Sequence, residues 1–410
     1  MSNVDEKKII RVATMSARVS IVKCEDYTPS NVLRAVKEAV SLLGGMEKFV
    51  RQGQKVLLKP NLLSARPPES GVCTHPAVVE AIISLATAAG GICTVGDSPS
   101  VGANTQEGFE NLLKVTGMMD VIRRTEAGIA WFNKSGTERR ITNAKVFRRI
   151  LIADALAETD VLINVPKFKT HELTRLTGAV KNLFGCIPGR RKVEFHLQAG
   201  ADPEVFAQIL VDTLWEVRPA LNIMDGIVGM DGQGPAAGRR RIFGFIIAGE
   251  DPVAVDAVAC ITANIDPMEV PMLRLATEQG VGTANRTEIE ILGVQPEEVR
   301  IPGFLMPGRG DIISRLPRSV YHIARNHLVK RPVFIRSKCT GCRECVAICP
   351  VGAIHGNDKK LAVDYSTCIR CYCCQEVCPA EAIALRDSRL RVSLETALAI
   401  RRAIRRILKK

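Results

Sequence analysis

Over residues 1–305, short apolar runs alternate with longer stretches whose apolar positions recur at helical spacing. The short runs predict strands at 19–22, 55–58, 92–95, 160–165, 222–224, 242–248 and 289–292. The longer stretches predict helices at 31–43, 76–89, 203–217 and 252–263. Ser30 reads as the cap of the first helix, and Gly44-Gly45 and Gly90-Gly91 close the first two. Such alternation is the pattern of an α/β body with a mainly parallel sheet. Ligands of these sheets gather beyond the carboxyl ends of the strands. There the chain places Gly96-Asp97-Ser98 after one strand and the stretch from Asn164 to Gly185 at the end of another.

Beyond residue 305 the pattern changes. Residues 306–332 read as a basic linker with Pro307, Pro317, Pro332 and a helical middle. Residues 388–410 put Ala397, Ile400, Ile404 and Ile407 on one side of a helix and Arg401, Arg402, Arg405 and Lys409 on the other, a basic amphipathic tail helix. These segments decide what the charge means. The formal net charge is +13, and segments 308–331 and 388–410 carry all but one of those charges. With a near-neutral body, no recognition fold and no interleaved aromatics, a nucleic-acid partner is not expected. The tail suits an acidic redox partner protein or an anionic membrane surface, met peripherally.

The first eight residues hold no apolar run, and no segment reaches transmembrane length. Single cysteines at 24, 73, 93, 186 and 260 suit a reducing compartment. The expectation is a cytoplasmic protein, membrane-associated only through its tail, in an anaerobic or low-oxygen setting.

Eight of the fourteen cysteines fall in two runs in register. Cys339-x2-Cys342-x2-Cys345-x3-Cys349-Pro350 repeats 29 residues later as Cys368-x2-Cys371-x2-Cys374-x3-Cys378-Pro379. Three thiolates two residues apart let one tight loop wrap three irons of a cubane, and the fourth must come from elsewhere. Structural zinc ordinarily uses two pairs of ligands, and a disulfide framework suits an exported chain. Residues 333–387 resemble the two-cluster bacterial ferredoxins, a small α+β domain. In that family the fourth ligand comes from the other repeat. The resemblance therefore implies one 4Fe–4S cluster on Cys339, Cys342, Cys345 and Cys378, and a second on Cys368, Cys371, Cys374 and Cys349. Cys373 is an extra thiol, a bystander or a substitute ligand. Two such clusters exchange single electrons, at potentials within roughly −700 to +450 mV.

The body's richest stretch follows the strand at 160–165. It holds Lys167, Lys169, His171, Thr177-Gly178, Lys181-Asn182 and then Arg190-Arg191-Lys192 and His196. Lysine and histidine at the exit of a buried strand make an anion-friendly pocket, and a lysine with basic neighbours can act as a nucleophile. The plainer readings are an ion pair for Lys181 and a solvated loop for 190–192. Asp97, Asp225 and Asp231 lie in glycine-containing turns, which suits ordinary turn chemistry or an oxygen-ligand metal site. Arg239-Arg240-Arg241 reads as a charged β-turn or an anion site.

Leu58-Lys59-Pro60-Asn61, Gly96-Asp97-Ser98, the 164–185 stretch, Met224-Asp225-Gly226 and Gly249-Glu250-Asp251-Pro252 together resemble the prokaryotic "domain of unknown function 362" family. The resemblance spans most of 18–300, and members often carry a C-terminal ferredoxin module; it implies no settled reaction. His171, Thr177-Gly178, Lys181 and His196 are also similar to a region of the nickel-dependent lactate racemases. That likeness implies His171 as acid/base, Lys181 as anchor of a nickel-pincer nucleotide and His196 as metal ligand. Ala179 stands where those enzymes have a second glycine, and His75 is the candidate for their other catalytic histidine. They have no ferredoxin module.

The leading expectation is thus an iron–sulfur oxidoreductase. Its two 4Fe–4S clusters would serve a small-molecule substrate, an additional metal or organic cofactor, or a redox partner at the α/β body. The alternatives are a racemase-like metalloenzyme using His171, Lys181 and His196, and an accessory electron-delivery or cofactor-maturation protein. No glycine-rich nucleotide fingerprint is present.

Overall fold

The computed structural model describes residues 16–99, 105–189, 191–199, 202–307 and 329–387. Most of the linker and the predicted tail helix at 388–410 lie outside the described residues. The body's strands are β1 (Ala17–Lys23), β2 (Lys55–Pro60), β3 (Ile92–Asp97), β4 (Gly128–Trp131), β5 (Gly136–Arg140) and β6 (Arg149–Ala153). They continue with β7 (Val161–Val165), β8 (Lys167–His171), β9 (Arg175–Thr177), β10 (Leu221–Asp231), β11 (Arg239–Gly249) and β12 (Ile289–Gly293). Among the described residues ten of these form one sheet, ordered β12-β1-β11-β10-β7-β2-β3-β4, with β8 beside β10 and β9 beside β8. The run β10-β7-β2-β3-β4 is parallel throughout, and β11 lies antiparallel between β1 and β10. The sheet is mainly parallel, as the alternation predicted.

Burial explains why these strands are apolar at nearly every position. In β2, Leu57 enters one apolar cluster while Val56 and Leu58 enter the other; in β1, Val19 and Ile21 oppose Val22 in the same way. Successive side chains leave opposite faces, so such strands need cover on both. Helices Pro203–Glu216, Pro252–Thr262 and Pro271–Glu278 cover one face, and Pro29–Leu42, Pro76–Ala88 and Met118–Thr125 the other.

Three local expectations are corrected. Ser30 is not a cap, because the helix already begins at Pro29 after Thr28, with no side-chain cap bond. Proline suits that first turn, where its missing N–H has no helical partner to lose. The strand expected at 222–224 runs on to Asp231, through the glycines read as a turn. A Cβ at Gly226 would lie 2.1 Å from the Phe245 ring, and one at Gly229 2.1 Å from that of Phe243. These glycines admit aromatic rings from the neighbouring strand rather than turning the chain. Arg239-Arg240-Arg241 accordingly opens β11 and is not a β-turn.

Residues 329–387 form the small α+β domain. It pairs β13 (Arg331–Phe334) with β16 (Ile383–Arg386), and β14 (Ile354–His355) with β15 (Ala362–Val363), both antiparallel. The sequence repeat is also a backbone repeat. Gly341 and Arg370, Arg343 and Tyr372, and Gly352 and Glu381 all take positive φ at matched positions. The helices Glu344–Ile348 and Cys373–Val377 follow the same offset.

Candidate functional site

Cys339, Cys342, Cys345 and Cys378 line one small cavity of the ferredoxin-like domain, and Cys349, Cys368, Cys371 and Cys374 line another. Each set takes three cysteines from one repeat and the fourth from the other. The fourth cysteine of each run accepts a backbone hydrogen bond on Sγ, Ala353 N–H to Cys349 and Ala382 N–H to Cys378, both at 3.2 Å. Bonds of this kind favour a thiolate. Among the described residues, no three His, Cys, Asp or Glu side chains converge as ligands of a single metal ion would.

A third cavity lies where the carboxyl ends of β2 and β3 meet the ferredoxin-like domain. Its volume is about 120 Å³. From the body come Lys59, Asn61, Asp97, Ser98, Lys181 and His196, and from the helix Cys373–Val377 come Cys373 and Glu376. Beneath it runs a buried polar row set by strand register. Lys59 pairs across the sheet with Asn164, and Asn164 with Asn222. Asn164 donates to Asn222 Oδ1 at 2.8 Å, and Asn182 donates to Asn164 Oδ1 at 2.8 Å. Lys59 Nζ sits 2.8 Å from Asp97 Oδ1, and Asp97 also accepts from the N–H groups of Ser98 and Leu62. Both side chains are almost fully buried, which an ion pair tolerates only when such further bonds complete it. Gly185 makes room for the pair, since a Cβ there would lie 2.4 Å from Asp97 Oδ1.

Thr177-Gly178 aims Lys181. A Cβ on Gly178 would lie 2.1 Å from Asp256 Oδ1, so glycine alone lets that carboxylate reach the N–H groups of Ala179 at 2.6 Å and Val180 at 3.0 Å. Asp256, from the helix Pro252–Thr262, therefore fixes the short helix Ala179–Asn182 that carries Lys181. Burial pushes the Asp256 carboxyl up to about 7, against those two bonds. Lys181 is half-buried against the cavity, 6.0 Å over the Phe206 ring. Burial holds its ammonium below the ordinary lysine range, with Glu376 pulling the other way.

His171 and His196 flank the same carboxylate differently. The Nδ1 of His171 accepts from Leu173 N–H at 3.1 Å and Thr174 N–H at 3.3 Å, which leaves Nε2 to carry the proton and face Glu376 Oε1 at 3.0 Å. His171 lies behind Glu376 and does not line the cavity. His196 does line it, stacked on Phe206 with 4.4 Å between centroids. Its Nδ1 has no hydrogen-bond partner among the described residues. Burial lowers His171 to about 4 and His196 to about 3, so both are neutral near pH 7. Burial would raise Glu376, but the surrounding His171, Lys181 and His196 hold it below the usual carboxylate range.

The structure thus gathers His171, Lys181 and His196 around one carboxylate and leaves other candidates elsewhere. His75 stacks on Tyr27 at 3.6 Å and caps its helix by accepting from Ala77 N–H, so it does not join them. Asp97, Asp225 and Asp231 do not form a metal site: each faces its own cation, Lys59, Lys167 and the Arg239–Arg241 pair respectively. Arg239 and Arg241 are thereby spent as partners of Asp231 rather than as an anion site.

Sequence reasoning passed over Glu376 and underrated Cys373. Their signal is a break in the repeat. At matched positions the first helix has Glu344, Val346 and Ala347, and the second has Cys373, Gln375 and Glu376, all buried. Those substitutions face the body: Glu376 meets His171, and Gln375 donates to Gln233 O at 3.2 Å. Arg66 of the body likewise donates to Cys378 O and pairs with Glu381 at 2.8 Å.

Comparison with known proteins agrees with this two-part organisation. Residues 329–382 match the 4Fe-4S dicluster domain family. The thylakoid-associated protein sll1697 of Synechocystis is 32% identical over 326 residues, spanning 78% of this chain and 98% of that protein. Among solved structures, the lactate racemase apoprotein of Thermoanaerobacterium thermosaccharolyticum aligns with a TM-score of 0.38 and 12% identity, over 61% of this chain. A Thermotoga maritima protein aligns with 0.34 and 12%, over 63%. This chain spans 58% and 60% of those two structures, and at such scores neither likeness bears on the reaction. Residues 56–261 match the domain of unknown function DUF362, and the chain belongs to that family, with a ferredoxin-like domain fused behind it.

Proposed function

We propose that this protein carries two 4Fe–4S clusters and exchanges electrons with a small molecule held between its two domains. When bound, such clusters supply single electrons at low potential. Cys339, Cys342, Cys345 and Cys378 would hold one, and Cys349, Cys368, Cys371 and Cys374 the other. The two four-cysteine cavities support these ligand sets, and a thiolate accepting an N–H bond is the form a cluster needs. One observation carries the functional reading. The helix Cys373–Val377, which holds the ligand candidate Cys374, also lends Cys373 and Glu376 to the cavity faced by Lys181 and His196. A molecule there lies within the same few residues as the second cluster's ligands.

The body's residues have separable roles in this reading. Lys59, Asp97 and Asn182 form the rigid floor, Asp256 sets the position of Lys181, and Lys181 and His196 bind and orient. Glu376, with His171 behind it, supplies a fixed negative charge and a proton-bearing partner. Whether a reaction is completed in the cavity or on a partner, the test begins with anaerobically purified full-length protein. About eight irons and eight sulfides per chain are expected, with electron paramagnetic resonance signals after reduction. Substituting Cys374 should remove about half of the iron. A protein with full iron whose reoxidation rate no small molecule alters would overturn the cavity's role in electron exchange.

A further inference from the structure

Hydrogen-bond accounting singles out the interdomain cavity. Buried polar atoms of folded proteins are nearly all paired. Yet Asn61 Oδ1, Thr177 Oγ1, His196 Nδ1 and, apart from its contact with His171, Glu376 Oε1 have no hydrogen-bond partner among the described residues, and all four residues line this one cavity. Thr177 and His196 are more than nine-tenths buried, so bulk water does not serve their side chains freely.

The charges point the same way. Of the lining ions, Lys59 is paired with Asp97, whereas Glu376 faces a neutral His171 and keeps its negative charge. Lys181 and Lys192 have no carboxylate within salt-bridge distance among the described residues. Lys192 donates to the carbonyl and hydroxyl of Ser98, neutral acceptors that satisfy its protons without balancing its charge. The Lys181 ammonium makes no hydrogen bond among the described residues. Two ammonium groups against the single charge of Glu376 leave this partly enclosed space net positive, which favours an anion there.

The rest of the lining narrows the anion. Among the described residues no arginine lines the cavity, so none of them offers the planar fork that commonly grips phosphate. The N-terminal N–H groups of the helix Ala179–Asn182, which would serve a phosphate, are already taken by Asp256. Leu62, Leu63, Phe184, Val193, Ile348 and Val377 supply apolar wall. The cavity volume of about 120 Å³ has room for about four waters or one small organic molecule.

We infer that the cavity binds a small organic carboxylate bearing a second polar group. Its carboxylate meets Lys181 in the field of Lys192, its apolar part lies against the aliphatic wall, and its second polar group reaches Asn61, Thr177 or His196. Binding itself stands on the unpaired atoms and charges; only the electron exchange after binding rests on the proposed redox function.

The test uses full-length, anaerobically purified protein and calorimetric titration with acetate, succinate and 4-hydroxybenzoate, each beside its neutral amide, and with inorganic phosphate. At least one carboxylate should bind at least tenfold more tightly than its amide. Lys181→Gln should weaken it roughly tenfold to a hundredfold, the loss typical of a charged hydrogen bond. Lys192→Gln should weaken it less, and Lys48→Gln, an exposed lysine paired with Glu250, should not change it. Amides that bind equally well, phosphate that binds more tightly than every carboxylate, or no carboxylate bound at about 10 mM would each overturn the inference. So would unchanged affinity in both Lys181→Gln and Lys192→Gln with iron content intact. Cluster reoxidation on the same samples separates the two claims. Carboxylate binding without any change in reoxidation keeps this inference and sinks the redox role of the cavity. Reoxidation driven only by neutral probes does the reverse.

Discussion

Two buried lysine–aspartate pairs lie in this one sheet, and they differ in what surrounds them. Around Asp225, one carboxylate accepts from Tyr27 Oη at 2.8 Å, Lys167 Nζ at 2.7 Å, His75 N–H at 2.9 Å and Ile227 N–H at 3.2 Å. Tyr27 also takes a bond from Lys167 and stacks on His75, and no fully buried polar side-chain atom of this group is left unpaired. Around Asp97 the pair itself is equally complete, but the residues just beyond it are not. Asn61, Thr177 and His196 keep unpaired atoms, and Lys181 keeps an unpaired charge. Buried charge alone therefore does not mark a site; incomplete pairing beside a cavity does. A closed network holds the sheet together, and the open one has capacity left for a ligand.

The comparison predicts opposite phenotypes. Asp225→Ala would strand Lys167 and Tyr27 and should cost about 3–5 kcal/mol of stability, read by anaerobic denaturant unfolding. Lys181→Ala removes no ion pair and should cost under about 1 kcal/mol while abolishing any carboxylate response. Equal losses in both variants would erase the distinction. Asp256→Ala is intermediate in kind. It leaves the N–H groups of Ala179 and Val180 unpaired, so a loss of about 2–4 kcal/mol should accompany weakened ligand binding.

Buried histidines give a smaller, pH-dependent signature shared by both networks. His75, His171 and His196 are held at about 4, 4 and 3, below the ordinary histidine value. The unfolded chain therefore binds protons that the folded chain refuses, and stability falls as pH drops through 6.5. Between pH 7.5 and 6.0 the loss should be about 0.8 kcal/mol per histidine. Thermal melts of wild type and His75→Gln, which removes one contribution, would check it. Burial also lowers Lys192 to about 7, with Asp97 raising it and Lys59 lowering it. Its charge, and the part of carboxylate affinity it supplies, should fade as pH rises through 7 toward 8, by at most a fewfold. The smallest effect on the body should come from deleting 388–410. Stability and iron content should stay unchanged while binding to anionic vesicles is lost; retained vesicle binding would remove the tail from that role.

The amino-acid sequence alone was sufficient where chemistry is local. Cysteine spacing carried the ferredoxin-like domain, because three ligands of one cubane must come from one tight loop. Apolar runs carried the mainly parallel sheet, because strands covered on both faces have no polar side. His171 and Lys181 were legible as chemistry at one strand exit, and His196 joined them only through the likeness to a region of the nickel-dependent lactate racemases. Tertiary structure alone decided the rest. It ran a strand through Gly226 and Gly229, since only packing shows that Phe245 and Phe243 need that space. It sent His75 to a closed network and made Arg239 and Arg241 partners of Asp231. It also brought Glu376, some two hundred residues along the chain, against His171. Pairing between distant side chains leaves no periodic trace in a sequence. Whether a buried polar group is satisfied or waiting for a ligand depends on those pairings, and that decision belongs to the folded chain.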